Sequence, residues 1–207
     1  FLSARAMAIR AELFAPAVAL LAFGLALFFA IYSFDRRPTT ADEIAQLWHA
    51  RMLLEGRLAM PPDPNPEFFA IDNVIDSPRW MSQFPIGGPA FLAVGMLFHA
   101  EWALNAILSA LIVLNVYFFA RRVYGEAQAR VAAAVMALSP MLLLMGGTQM
   151  NHTPTAWLAT LALASLAVWV QSNGPRQLLS AAVIGLSVGL AITIRPLDGA
   201  LSGAVFG

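Results

Sequence analysis

Asp42 and Glu43 stand side by side at the start of an amphipathic stretch, just beyond the first long apolar run of the chain. A carboxylate beside a membrane surface can take a proton from a hydroxyl group, general-base work worth about 10²–10⁴ in rate. The pair are therefore the candidate catalytic residues. Their spacing separates them. Thr40 followed three residues later by Glu43 is a capping-box pattern, which commits Glu43 to the helix start. Asp42 is freer and is the better candidate base. The plain alternative, two first-turn acids complementing the positive end of a helix dipole, stays open at this point.

Three further clusters could bind substrate. Thr148 to Pro154 joins two apolar runs and gathers Gln149, Asn151 and His152 where a hairpin needs only a cap. His152 could orient a substrate or shuttle a proton. Arg195-Pro196-Leu197-Asp198 ends an apolar run. Its guanidinium could hold a lipid phosphate by bidentate hydrogen bonds, snorkel, or pair with Asp198. Arg79 and Gln83 precede Phe84-Pro85-Ile86-Gly87-Gly88-Pro89, a chain break that opens a short apolar helix. Such helix N-termini favour anions, although Trp80 there also reads as a membrane anchor. His49 and His99 read as interfacial packing residues. No His or acids stand at metal-ligand spacing. A divalent cation, Mg²⁺ or Mn²⁺, could still be held by the acidic loop.

The elements that must position these residues are mostly membrane helices. Of the 207 residues, 59% are hydrophobic and 12% charged, and the mean hydropathy is +0.71. That is the composition of an all-α polytopic membrane protein. All twelve basic residues are Arg, balanced by twelve acids without a polybasic run, so nucleic acid is not an expected partner. The absence of Cys removes disulfides and thiolate chemistry. Runs near the length of about 20 residues that a bilayer needs are residues 13–32, 102–120, 131–150, 154–170 and 178–194. The first reads as an uncleaved signal anchor, with Arg5 and Arg10 before it on the cytoplasmic side. The chain reads as the N-terminal part of a longer protein, all of it within one transmembrane domain.

Residues 86–98 are too short to span and read as a juxtamembrane helix. With that choice the loop Arg121–Arg130 faces the cytoplasm, as its three Arg to one Glu require. Asp42, Asn151-His152 and Arg195 then share the outer face. The long outer loop, 33–101, holds nine of the twelve acids and a juxtamembrane helix near 40–56, where Ile44, Leu47, Trp48 and Met52 form one apolar stripe. Its prolines make much of the rest extended. Phe68, Phe69, Ile71 and Val74 suggest packing on the bundle or the membrane rather than disorder.

Taken in order, the outer Asp42-Glu43, the Ala50-Arg51-x-Leu53-x-x-Gly56 helix, the Phe84-Pro85-x-Gly87 turn, the basic loop and Leu138-Ser139-Pro140 resemble the N-terminal half of a GT-C fold glycosyltransferase. The resemblance is to the protein O-mannosyltransferase and lipid A aminoarabinose transferase group. It implies a GT-C-like helical bundle that moves a sugar from a polyprenyl-phosphate donor to a lipid, glycan or protein acceptor on the non-cytoplasmic side. The expected location is a bacterial inner membrane or a plasma membrane, among membrane lipids. It also implies that Asp42 occupies the catalytic carboxylate position, with Glu43 beside it and Arg195 near a basic residue of the relatives. The chain departs from the aminoarabinose transferases at Phe84, where they carry a Lys for the lipid phosphate; Arg79 or Gln83 could substitute. It departs again at Asn151-His152, where they carry a second Asp. The alternative function is a lipid or solute transporter, which calls for ionisable residues within spans. A membrane scaffold with an acidic partner-binding loop is a third reading.

Overall fold

The computed structural model describes residues 2–65 and 72–206, with side chains from residue 13 to residue 204 among them. The expected packing of Phe68, Phe69 and Ile71 lies outside the described residues. Helix α1 (Leu2–Phe28) ends in a π-helical turn, Phe29–Ser33. α2 (Ala41–Leu54) follows, then a two-stranded antiparallel hairpin of β1 (Val74–Ile75) and β2 (Met81–Ser82), with Val74 opposite Ser82. α3 (Gly87–Leu97), α4 (Glu101–Val123), α5 (Glu126–Ala137), α6 (Pro140–Gly147), α7 (His152–Val170), α8 (Pro175–Ile194) and α9 (Pro196–Phe206) complete the described chain.

Residues 13–33, α4, α7 and α8 are each long and apolar enough to cross a membrane. The chain is thus an all-α integral membrane protein. The apolar run 131–150, expected as one span, is two helices meeting at a bend of 51°. Pro140 has no N–H to continue α5, and the backbone breaks at Leu138-Ser139 before Pro140 opens α6. α5 and α6 together would make a fifth crossing.

Lipid offers no hydrophobic reward for bringing helices together, so close backbone approach and van der Waals contact must do it. The sequence supplies small residues at helical spacing. Ala15, Ala19, Ala22 and Ala26 form a buried stripe along α1 that Ala30 continues in the π-helical turn, and Ala129, Ala133 and Ala137 form another on α5. Ala15, Ala19 and Ala22 of the first stripe and all of the second meet Ile112, Val113 and Tyr117 of α4 in the main core. Gly147 permits a close crossing: a Cβ there would lie 2.8 Å from that of Phe29. Leu13, Leu20, Leu178, Leu179 and Leu186 remain exposed, as lipid-facing side chains do.

Connectivity places the polar segments. Arg36, just after α1, sits 4.6 Å from the ring of Trp102 at the start of α4. The segment from Phe34 to Ala100 therefore leaves and re-enters the bundle at the same end. α3 rises only about 16 Å at 1.5 Å per residue, half of the ~30 Å hydrocarbon core. The turns before α7 and after α8 lie at this same end. The other end carries Arg121, Arg122 and Arg176.

Candidate active site

Glu43 is completely buried. Its Oε2 accepts from the Thr39 and Thr40 backbone N–H groups at 2.6 and 3.0 Å, and the reciprocal bond from Glu43 N to Thr40 Oγ1 closes the capping box. Its Oε1 accepts from the backbone N–H of Gln149 at 2.6 Å. One carboxylate thus caps α2 and ties it to the segment between α6 and α7. That segment is pinned from its other side by Asn105, whose amide donates to the carbonyls of Thr148 and Met150 at 2.9 and 2.8 Å. Thr153 Oγ1 donates to Met145 O at 3.1 Å. Asn151 and His152 are held by this bracing.

Asp42 takes the other course. It is half-buried, and its Oδ1 accepts from Asn73 Nδ2 at 2.7 Å, its only hydrogen bond among the described residues. It lines a cavity of about 350 Å³ together with Phe84, Pro85, Asn151, His152 and Ile194 to Asp198. Stretches far apart in sequence meet here because α3 is pressed inward at its first residues. A Cβ on Gly88 would fall 2.6 Å from Gln46 Oε1 and 3.3 Å from Asn151 Cβ. A Cβ on Gly87 would fall 2.7 Å from the Thr193 carbonyl. Glycine at both positions lets α3 seat between α2 and the end of α8.

Arg195 pairs with Asp198 through Nε at 2.6 Å, which orients the guanidinium and leaves its two terminal nitrogens available. His152 Nδ1 is buried with no hydrogen-bond partner among the described residues. An unpaired buried polar atom costs about 1–3 kcal/mol, a cost that a bound hydroxyl or water would offset. His152, Arg195 and Asp198 also line a second cavity of about 420 Å³, whose walls include Ile112, Met136, Met141, Leu142 and Met145. A polar chamber and an apolar chamber therefore share one charged wall.

Of the residues singled out from sequence, Asp42, Asn151, His152 and Arg195 come together. Arg79 does not; it is exposed and lines a separate cavity with Gly56, Leu58 to Pro61 and Pro78. Gln83 is also exposed and reaches Asn73 rather than the cavity wall. Glu43 lies behind the cavity, not on it. Asn73 and Asn105 are the site residues that sequence reasoning missed. An amide four residues into an apolar span was a signal for Asn105; nothing local marks Asn73. Among the described residues, no three His, Asp or Glu side chains group to hold a metal ion.

A family model described as dolichyl-phosphate-mannose-protein mannosyltransferase matches residues 85–206, more than half of the 207-residue chain. The match contains Asn151, His152 and Arg195 and begins after Asp42. No curated protein and no solved structure matches the chain significantly.

Proposed function

Because the chain belongs to the dolichyl-phosphate-mannose-protein mannosyltransferase family, membrane glycosyltransferases of the mannosyltransferase type, we propose that the Asp42 cavity is where a mannosyl group leaves a polyprenyl-phosphate carrier. The observation that carries this reading is the shared wall. A donor of this class has an anionic sugar-phosphate head and a long apolar tail. Arg195 and His152 border both a polar chamber for such a head and a methionine-rich chamber for the first part of such a tail. Methionine suits a surface that must adapt to a flexible chain.

Asp42 accepts the proton of an acceptor hydroxyl as its oxygen bonds to the anomeric carbon. The carbon–phosphate oxygen bond breaks in line, through an oxocarbenium-like transition state, as in other glycosyl chemistry. The electron pair departs with the phosphate, whose growing charge Arg195 stabilises. His152 and Asn151 hydrogen-bond the sugar, and Glu43 fixes the helix that presents Asp42. The Arg-rich opposite end is cytoplasmic by the positive-inside rule, which puts the cavity on the non-cytoplasmic face of a GT-C-like bundle. The acceptor is a hydroxyl of a protein, glycan or lipid.

The test is reconstitution in vesicles with radiolabelled dolichyl-phosphate mannose and a panel of Ser/Thr peptides and short mannosides. Label transferred to an acceptor is the expected result. Intact donor or sugar moved across the bilayer without transfer would replace this reading with a transporter.

A further inference from the structure

We propose that Asn73 is a positioning residue for Asp42, and that Gln83 sets which way the Asn73 amide faces. This rests on the reading of Asp42 as the base. An ionised carboxylate only accepts hydrogen bonds. Asn73 must therefore present Nδ2 to Asp42 Oδ1, as it does at 2.7 Å. That leaves Asn73 Oδ1 facing away, where Gln83 Nε2 donates to it. The backbone repeats the link, with Gln83 N donating to Asn73 O at 2.9 Å. The relay runs from Gln83 through Asn73 to Asp42, all donors pointing toward the carboxylate.

The hairpin that bears the relay is fixed to the helix that bears the base. The Trp80 ring, one residue before β2, packs against Trp48 of α2 at 4.5 Å between centroids. Trp80 and Met60 exchange two backbone hydrogen bonds of 2.9 Å. Asn73 has a left-handed backbone, φ 65°, which Asn adopts more readily than most residues. It can therefore turn the chain into β1 and still aim its amide at Asp42. A first-turn Asp otherwise has several staggered rotamers. One bond at Oδ1 selects among them and leaves Oδ2 without a hydrogen bond among the described residues, on a side chain that lines the cavity. Misplacing a reacting group by about 1 Å can cost on the order of 10² in rate, so selecting one rotamer is of kinetic consequence.

The test compares Asn73→Gly, Gln83→Glu and Asp42→Asn in vesicles with radiolabelled dolichyl-phosphate mannose. Asn73→Gly keeps the left-handed turn and removes the amide. Its kcat should fall about 10–100-fold with the donor KM and the thermal midpoint unchanged. Gln83→Glu replaces a donor with an acceptor, frees the Asn73 amide to turn, and should lower kcat less, again at constant KM. Wild-type kcat in Asn73→Gly, or a change confined to KM, overturns the proposal while an inactive Asp42→Asn keeps the base reading. Full activity in Asp42→Asn overturns both. Should Asn73→Gly fail to insert, an unchanged kcat in Gln83→Glu overturns the relay.

Discussion

At the Arg-rich end of the bundle, Glu126 is surrounded. Tyr117 Oη donates to both its oxygens at 2.9 Å, and Arg130 and Arg121 reach them at 2.7 and 3.1 Å. At the opposite end, Asp42 has one amide on one oxygen and an open cavity beside it. Its neighbour Glu43 resembles Glu126 more than Asp42, with donors on both oxygens. A carboxylate whose acceptor sites are filled by the protein holds elements together. One left partly unfilled over a cavity is available for chemistry. Adjacency in sequence says nothing about which case applies; the hydrogen-bond partners do.

That contrast can be broken most forcefully at Asp42. Asp42→Asn is expected to lower mannosyl transfer by about 10²–10⁴-fold, the range of a lost general base, with normal membrane insertion. Glu126→Gln at the other end should leave transfer unchanged and lower the thermal midpoint. Comparing both rates at equal inserted protein checks the pair.

Next in size is Arg195→Gln, which leaves a departing phosphate without its cation. One lost transition-state donor of this kind costs about 10²–10³ in kcat. Arg195→Lys should recover only part of it, because an ammonium cannot form the bidentate pair. Steady-state kinetics of the two variants check this ordering.

Glu43→Ala sharpens the difference between the adjacent acids. It strips the carboxylate from the backbone N–H groups of Thr40 and of the buried Gln149, and the buried one costs about 1–3 kcal/mol when left unpaired. The expected result is a clear drop in unfolding midpoint, with lost activity following lost protein. A variant as stable as wild type would remove Glu43 from its structural role.

His49 gives the smallest effect. Burial lowers its pKa below the ordinary value, only partly offset by its hydrogen bond to the Leu58 carbonyl. Below about pH 6.5 the unfolded chain binds a proton that the folded chain refuses. Stability should therefore fall as pH drops from about 6.5 toward the folded-state value. Thermal melts between pH 7.5 and 5 should show this slope, and His49→Asn should flatten it.

What could be read from the sequence follows the range of the forces involved. Apolar run length makes the membrane class plain. The Thr40–Glu43 capping box is a three-residue relation and forms in the structure. Pro140 marks a kink candidate within 131–150, but continuous hydrophobicity makes the run read as one span, since Leu138-Ser139-Pro140 changes backbone direction without changing polarity. Asn73 was illegible for a different reason. Its value depends on a hairpin with two-residue strands and on Trp80 meeting Trp48, neither of which leaves a periodic trace. By charge Arg79 is the alternate to Arg195 for a lipid phosphate, but the Met60–Trp80 pairing holds it over another cavity.

The proposed chemistry requires the lipid-linked donor to enter at the Asp42 end of the bundle. A photoreactive dolichyl-phosphate mannose analogue, reconstituted with the protein and mapped by peptide sequencing, measures this directly. Adducts should concentrate on Met136, Met141, Met145 and the segments around His152 and Arg195. Adducts gathered instead at Arg122, Gln171 and Arg176, the cavity of the opposite end, would contradict it.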